Sequence, residues 1–219
     1  MNDFYDFLTG PALWFAFLVF IGGLILRLTH LYGLSKERDR VFYNHVSMKW
    51  GLRSIIHWLI PLGSVSLRAQ PLFGVVFYLF HVCLLAVPLF LRAHNVLWHE
   101  SFGVSLPSLP ASVSDILAIL CVLAVIFLLL RRIIRPEVRI LTSAWDYFLL
   151  ILTALPFVTG ILAYHQVGPK EMTLVLHILS AEILLIIIPF SKLGHIILFF
   201  FSRAFIGFEM GQRRGARTW

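Results

Sequence analysis

EMTLVLHILSAEILLIIIPFSKLGHIILFFFSR, residues 171–203, is the stretch whose reading decides the fold. It is apolar for far longer than the twenty or so residues that a helix needs to cross a bilayer, so a membrane helix is expected. Two histidines interrupt it, His177 and His195, eighteen residues apart. In a straight helix that spacing is five whole turns, which puts both imidazoles on one face with roughly 27 Å of rise between them. A hydrocarbon core is about 30 Å thick, so the two would stand near opposite ends of one span. An imidazole in hydrocarbon is costly unless partnered, and two in register point to two stacked sites.

The rest of the chain has the same character. Of 219 residues, 59% are hydrophobic and 13% charged, and the mean hydropathy is +0.89. Soluble domains carry about a quarter charged residues, so this is an integral membrane protein. A net charge of +7 would suggest nucleic acid for a soluble domain. In a membrane protein it has to be read by position along the chain, and no nucleic-acid partner is expected.

The first residues, MNDFYD, hold two acids and no base, the wrong charge for the start of a cleavable signal peptide, so the segment is expected to be retained. A first span is expected over about 10–28, with Gly22 and Gly23 giving a flat patch for a packed neighbour. Residues 50–62 form a short amphipathic stretch, too short to cross, that belongs at the interface. His30, His45 and His57 lie around it at headgroup level and need no ligand role. The second span covers about 71–94 and holds His81, Cys83 and Pro88, with helix continuing toward His99. Ser112-x-x-Asp115 resembles a capping box for the third span, about 113–130. The fourth, about 144–164, contains Pro156 and Gly160, which predict a kink. The fifth is about 172–202.

Lys and Arg number seven between Arg27 and Arg68, four between Arg131 and Arg139, and four from Arg203 onward. Only Arg92 and Lys170 occupy the other loops, and Lys192 lies within the fifth span. The excess of bases marks the cytoplasmic side. The expected fold is therefore an all-α bundle of five transmembrane helices forming one membrane domain, N-terminus periplasmic and C-terminus cytoplasmic.

Orientation assigns depths to the histidines. Span two rises outward, with His81 near mid-depth or slightly inward and His94 near the outer surface. Span five descends, with His177 outward and His195 inward. His94 is thus matched with His177, and His81 with His195. Facing imidazoles from two helices are what bis-histidine haem ligation needs, and two haem b groups are expected. In a straight helix His94 would lie roughly 140° away from the face of His81, with Pro88 between them able to redirect it. His99, eighteen residues after His81, is the rival fourth ligand, although it falls next to Trp98 and Glu100 beyond the apolar zone.

These residues carry a resemblance. Five helices with an external N-terminus and a His-x17-His pair on the fifth resemble the cytochrome b (gamma) subunit of respiratory nitrate reductase, in which helices two and five hold two b haems. The chain is more similar still to the cytochrome b subunits of the Hmc and Tmc transmembrane redox complexes of sulfate-reducing bacteria. LTGPALW (8–14), RAQP (68–71), PLFLRAH (88–94), PEVRILT (136–142), PFVTG (156–160), PFSKLGH (189–195) and FFFSR (199–203) carry the similarity, which spans nearly the whole chain. Span two departs from the nitrate reductase pattern, where its histidines are closer together. The resemblance implies an electron-carrying subunit in the bacterial inner membrane. Its implied partners are a periplasmic multihaem cytochrome c and a cytoplasmic iron-sulfur subunit like heterodisulfide reductase.

Other polar residues in the spans have two readings each. Glu182 is expensive in hydrocarbon and is either a proton and quinone site, with menaquinone a candidate ligand, or a hydrogen-bonded structural group. Lys192 either snorkels or neutralises a haem propionate, and Arg92 beside His94 is a propionate partner at the outer end. Cys83 and Cys121 lack the C-x-x-C-H signature, which excludes c-type haem attachment, and no disulfide is expected. Two further readings stand beside the electron carrier: a subunit that oxidises quinol or reduces quinone, and a haem-free anchor for peripheral subunits.

Overall fold

A computed structural model describes residues 2–39, 43–44 and 46–211. His45, Arg40 and the tail bases Arg213, Arg214 and Arg217 lie outside the described residues. Among the described residues every regular element is helical: α1 (Asn2–Phe7), α2 (Leu13–Arg38), α3 (Met48–Leu59), α4 (Val65–Arg68), α5 (Pro71–Phe90), α6 (Arg92–Phe102), α7 (Ala111–Ile134), α8 (Pro136–Arg139), α9 (Ala144–Tyr164), α10 (Lys170–Ile187) and α11 (His195–Met210). A wide π turn at Leu8–Ala12, containing Pro11, joins α1 to α2. Among the described residues six stretches are long and apolar enough to cross a membrane: Asp3–Arg38, Pro71–Phe90, Ala111–Ile134, Ala144–Tyr164, Lys170–Phe190 and Lys192–Met210. The chain is a helical membrane protein.

The long run at 171–203 is two helices rather than one. Pro189 has no N–H for the carbonyl four residues back, and its ring clashes there, so the ladder stops. Two 3-10 turns follow, Ile188–Phe190 and Lys192–Gly194, with Ser191 extended between them at φ −123° and ψ −176°. The straight-helix geometry expected for His177 and His195, a common face and roughly 27 Å of rise, is therefore corrected.

Two compact units make up the chain, Met1–Gly74 with Glu182–Trp219, and Val75–Ala181. In the first, α3 packs on α11 through small residues. Gly51 and Ser54 are buried, and a side chain at Gly207 would run into Ser54 Cβ at 2.8 Å. The outward side of α3 keeps Leu52, Ile56 and Leu59 exposed, which suits a helix lying against lipid. Gly23 receives Pro189, whose Cβ would stand 2.7 Å from a side chain placed there, while Gly22 meets nothing.

In the second unit Phe80, Cys83 and Val87 of α5 pack with Ala118, Cys121, Ala124 and Val125 of α7 and Phe157 of α9. Both cysteines are free and buried. Alanines and cysteines at these positions let helices approach closely where lipid tails give no hydrophobic drive for association. The capping box expected at Ser112 does not form: Pro110 is the N-cap of α7 and makes no side-chain cap. Asp115 instead accepts from His165 Nε2 at 3.0 and 3.1 Å. The same S-x-x-D pattern does cap α9, where Asp146 Oδ2 accepts from the Ser143 N–H at 2.9 Å and its hydroxyl at 2.8 Å. The helix of α9 then continues through Pro156 to Tyr164.

A candidate two-histidine site

His94 reaches the site because the second span is broken. α5 ends at Phe90, Leu91 is extended at φ −68° and ψ 129°, and α6 restarts at Arg92. One extended residue resets the helical phase, so the roughly 140° expected of a straight helix does not apply. The break also leaves the Pro88 carbonyl without its helical donor. His94 Nδ1 bonds to it at 3.0 Å. Asn95, 3% exposed, holds the following loop by donating to Ser108 Oγ and accepting from the Leu106 N–H, each at 3.1 Å.

His177 comes from the second turn of α10 and leans on α9. Its Nδ1 bonds to the Pro156 carbonyl at 2.8 Å, with the Thr159 hydroxyl 3.5 Å away. Gly160 makes room for the ring: a Cβ there would lie 3.1 Å from Cε1 and 3.2 Å from Nδ1. Besides the kink expected of them, Pro156 supplies an acceptor and Gly160 a cradle for His177. PFVTG, with its glycine four residues after the proline, was the available signal.

The two rings are brought together, their centroids 6.0 Å apart and their planes 17° from parallel. In each, Nδ1 is occupied by a backbone carbonyl. A neutral imidazole that donates through Nδ1 keeps its lone pair at Nε2, the nitrogen then free to ligate a metal.

His81 and His195 also place Nδ1 on a backbone carbonyl. His81 Nδ1 bonds to the Phe77 carbonyl at 2.7 Å and His195 Nδ1 to the Lys192 carbonyl at 3.0 Å. They belong to different units, His81 to Val75–Ala181 and His195 to the other. His165 uses Nε2 instead, on Asp115. Arg92 is exposed at the first position of α6, two residues before His94, and Lys192 is exposed in the turn before His195. His99 is in the last turn of α6. Glu182 is 4% exposed on α10, and its Oε1 is buried with no hydrogen-bond partner among the described residues.

A haem suits the paired imidazoles chemically. A haem iron takes four ligands from its own macrocycle and asks the protein for two. Two imidazoles sharing one metal ion through Nε2 would have ring centres roughly 6 Å apart, and those of His94 and His177 are 6.0 Å apart with planes 17° from parallel.

No family model matches the chain. It is 46% identical over 218 residues to a protein of Nitratidesulfovibrio vulgaris (strain Hildenborough), a match covering 98% of this chain and 96% of that one. The name of that relative is simply "Protein".

Proposed function

We propose that this chain, which belongs to one family with the Nitratidesulfovibrio vulgaris protein, is a di-haem cytochrome b subunit. In this role it carries electrons across the bacterial cytoplasmic membrane between a periplasmic multihaem cytochrome c and cytoplasmic iron-sulfur subunits. The single observation that carries the reading is the His94–His177 pair, 6.0 Å between centroids with both Nδ1 atoms on backbone carbonyls.

His94 and His177 would hold the outer haem through Nε2. His81 and His195 would hold the inner one, a pairing that rests on the depths assigned by charge asymmetry. Bound haem supplies a one-electron couple inside a slab too thick and too apolar for a free charge to cross. The work of this chain is to fix each imidazole tautomer through Nδ1, to keep Nε2 unprotonated and to hold water away with apolar helices. Arg92 and Lys192 would neutralise propionates of the haems held by the neighbouring His94 and His195.

Five crossings, N-terminus outside, is the topology proposed. Lys192–Met210 has the lowest mean hydropathy of the six candidates, 1.4 against 2.0 or more for the others. Its helix packs on α3, within the first basic segment. A sixth crossing would carry the basic tail to the outside, against the positive-inside bias. α11 therefore stays on the cytoplasmic side.

Haem content by pyridine haemochrome, with a reduced-minus-oxidised spectrum, tests the reading. Two b haems per chain are expected, and none would leave the anchor role. The burial of Glu182 with a partnerless Oε1 favours a second reading, quinone chemistry beside a haem. Reduction of the haems by a menaquinol analogue that Glu182→Gln abolishes would select it.

A further inference from the structure

Breaking a helix in a membrane leaves backbone carbonyls that lipid cannot satisfy, so irregular backbone there survives only where protein supplies donors. At 188–194 most of the donors are local. The Ser191 N–H and hydroxyl both donate to the Ile188 carbonyl at 3.3 Å, the Leu193 N–H donates to Ser191 Oγ at 3.2 Å, and the Gly194 N–H to the Ser191 carbonyl at 3.2 Å. Because the Leu193 N–H is turned to Ser191 Oγ, the Pro189 carbonyl has lost its helical donor. Arg27 Nη1, from α2, donates to that carbonyl at 2.9 Å and to the Ser191 carbonyl at 2.6 Å. Two neighbouring features fit the guanidinium to this place. Gly23, one turn earlier on α2, admits Pro189, and a Cβ on Gly194 would stand 2.5 Å from Arg27 Nη1. Directly after the held Ser191, Lys192 opens the second turn, and its carbonyl takes His195 Nδ1.

We propose that Arg27 is a positioning residue for His195, clamping the broken helix so that the Lys192 carbonyl fixes the ring and its tautomer. Its guanidinium lies beside Gly194, next to His195, so its positive charge would favour the reduced state of a haem held there. What His195 ligates rests on the haem reading above, whereas the clamp rests on the hydrogen bonds alone.

The full chain in lipid nanodiscs tests this with Arg27→Gln, Arg27→Lys and, as a variant that keeps the guanidinium but crowds it, Gly194→Ala. Hydrogen exchange at 188–195 is expected to quicken about tenfold in Arg27→Gln and Gly194→Ala, and less in Arg27→Lys. In a redox titration one of the two haem signals is lost or moves to lower potential in Arg27→Gln while the other stays. Unchanged exchange at 188–195, or equal movement of both haem signals, overturns the proposal. If the wild-type chain holds no haem b, the haem reading fails and the exchange result still decides the clamp.

Discussion

The imidazoles of His94 and His177 stand 6.0 Å apart, and each is tied through Nδ1 to the carbonyl of a proline, Pro88 and Pro156. The tie to Pro88 depends on the break at Leu91, which frees that carbonyl. The tie to Pro156 depends on Gly160, whose missing side chain lets the ring reach it. The geometry of the pair is therefore set by backbone features of α5, α6 and α9 as much as by the histidines. Substitutions there should act on the site without touching a ligand.

Gly160→Ala is expected to press on His177 from 3.1 Å and shift one of two low-spin haem signals in electron paramagnetic resonance. Gly160→Leu should abolish that signal and cost about 1–3 kcal/mol in detergent unfolding, the usual range for overpacking. Two unchanged signals in Gly160→Leu would separate His177 from the haem.

Asn95→Ala should loosen the loop after α6, because the Leu106 N–H and Ser108 hydroxyl lose a buried partner. The cost expected is about 1–3 kcal/mol, with faster hydrogen exchange confined to 103–110. Exchange rising equally across α7 would show that the loop is not a separate element.

Topology is checked by single cysteines, since Cys83 and Cys121 are fully buried and give little background. A membrane-impermeant maleimide is expected to label Ser105→Cys in intact cells. Glu137→Cys and Glu209→Cys should react only after permeabilisation. Labelling of Glu209→Cys from outside would make α11 a sixth crossing.

Glu182→Gln keeps the shape of the side chain and removes its ionisable group. Under the electron-carrier reading haem content stays at two and reduction by a dithiol or cytochrome donor is unchanged, as read by absorbance. Loss of quinol-driven haem reduction in that variant alone would favour quinone chemistry.

Much of the helical layout was legible because apolar length is a strong signal: the fourth span, expected over 144–164, is α9, and the second was placed to within a few residues of α5. The breaks at Leu91 and at 188–194 were not. Pro88 and Pro189 were visible, but a proline in a membrane helix produces anything from a mild kink to a stop, and Pro156 lies in a helix that continues. The capping pattern was equally ambiguous: S-x-x-D occurs at 112–115 and 143–146, and tertiary pairing with His165 claimed the first aspartate. His94 and His177 were matched by depth, and they do meet within one unit. Their Nδ1 partners are main-chain carbonyls, which a reading of side chains does not show.

The central claim is that His94 and His177 hold one haem between them. Haem b per chain, measured by pyridine haemochrome on purified wild type, His94→Ala, His177→Ala and His99→Ala, tests it most directly. The account predicts two for wild type and for His99→Ala, and about one for each of the other two, with the same low-spin signal missing from both. No b haem in the wild type, or two retained in His94→Ala and His177→Ala, would contradict it.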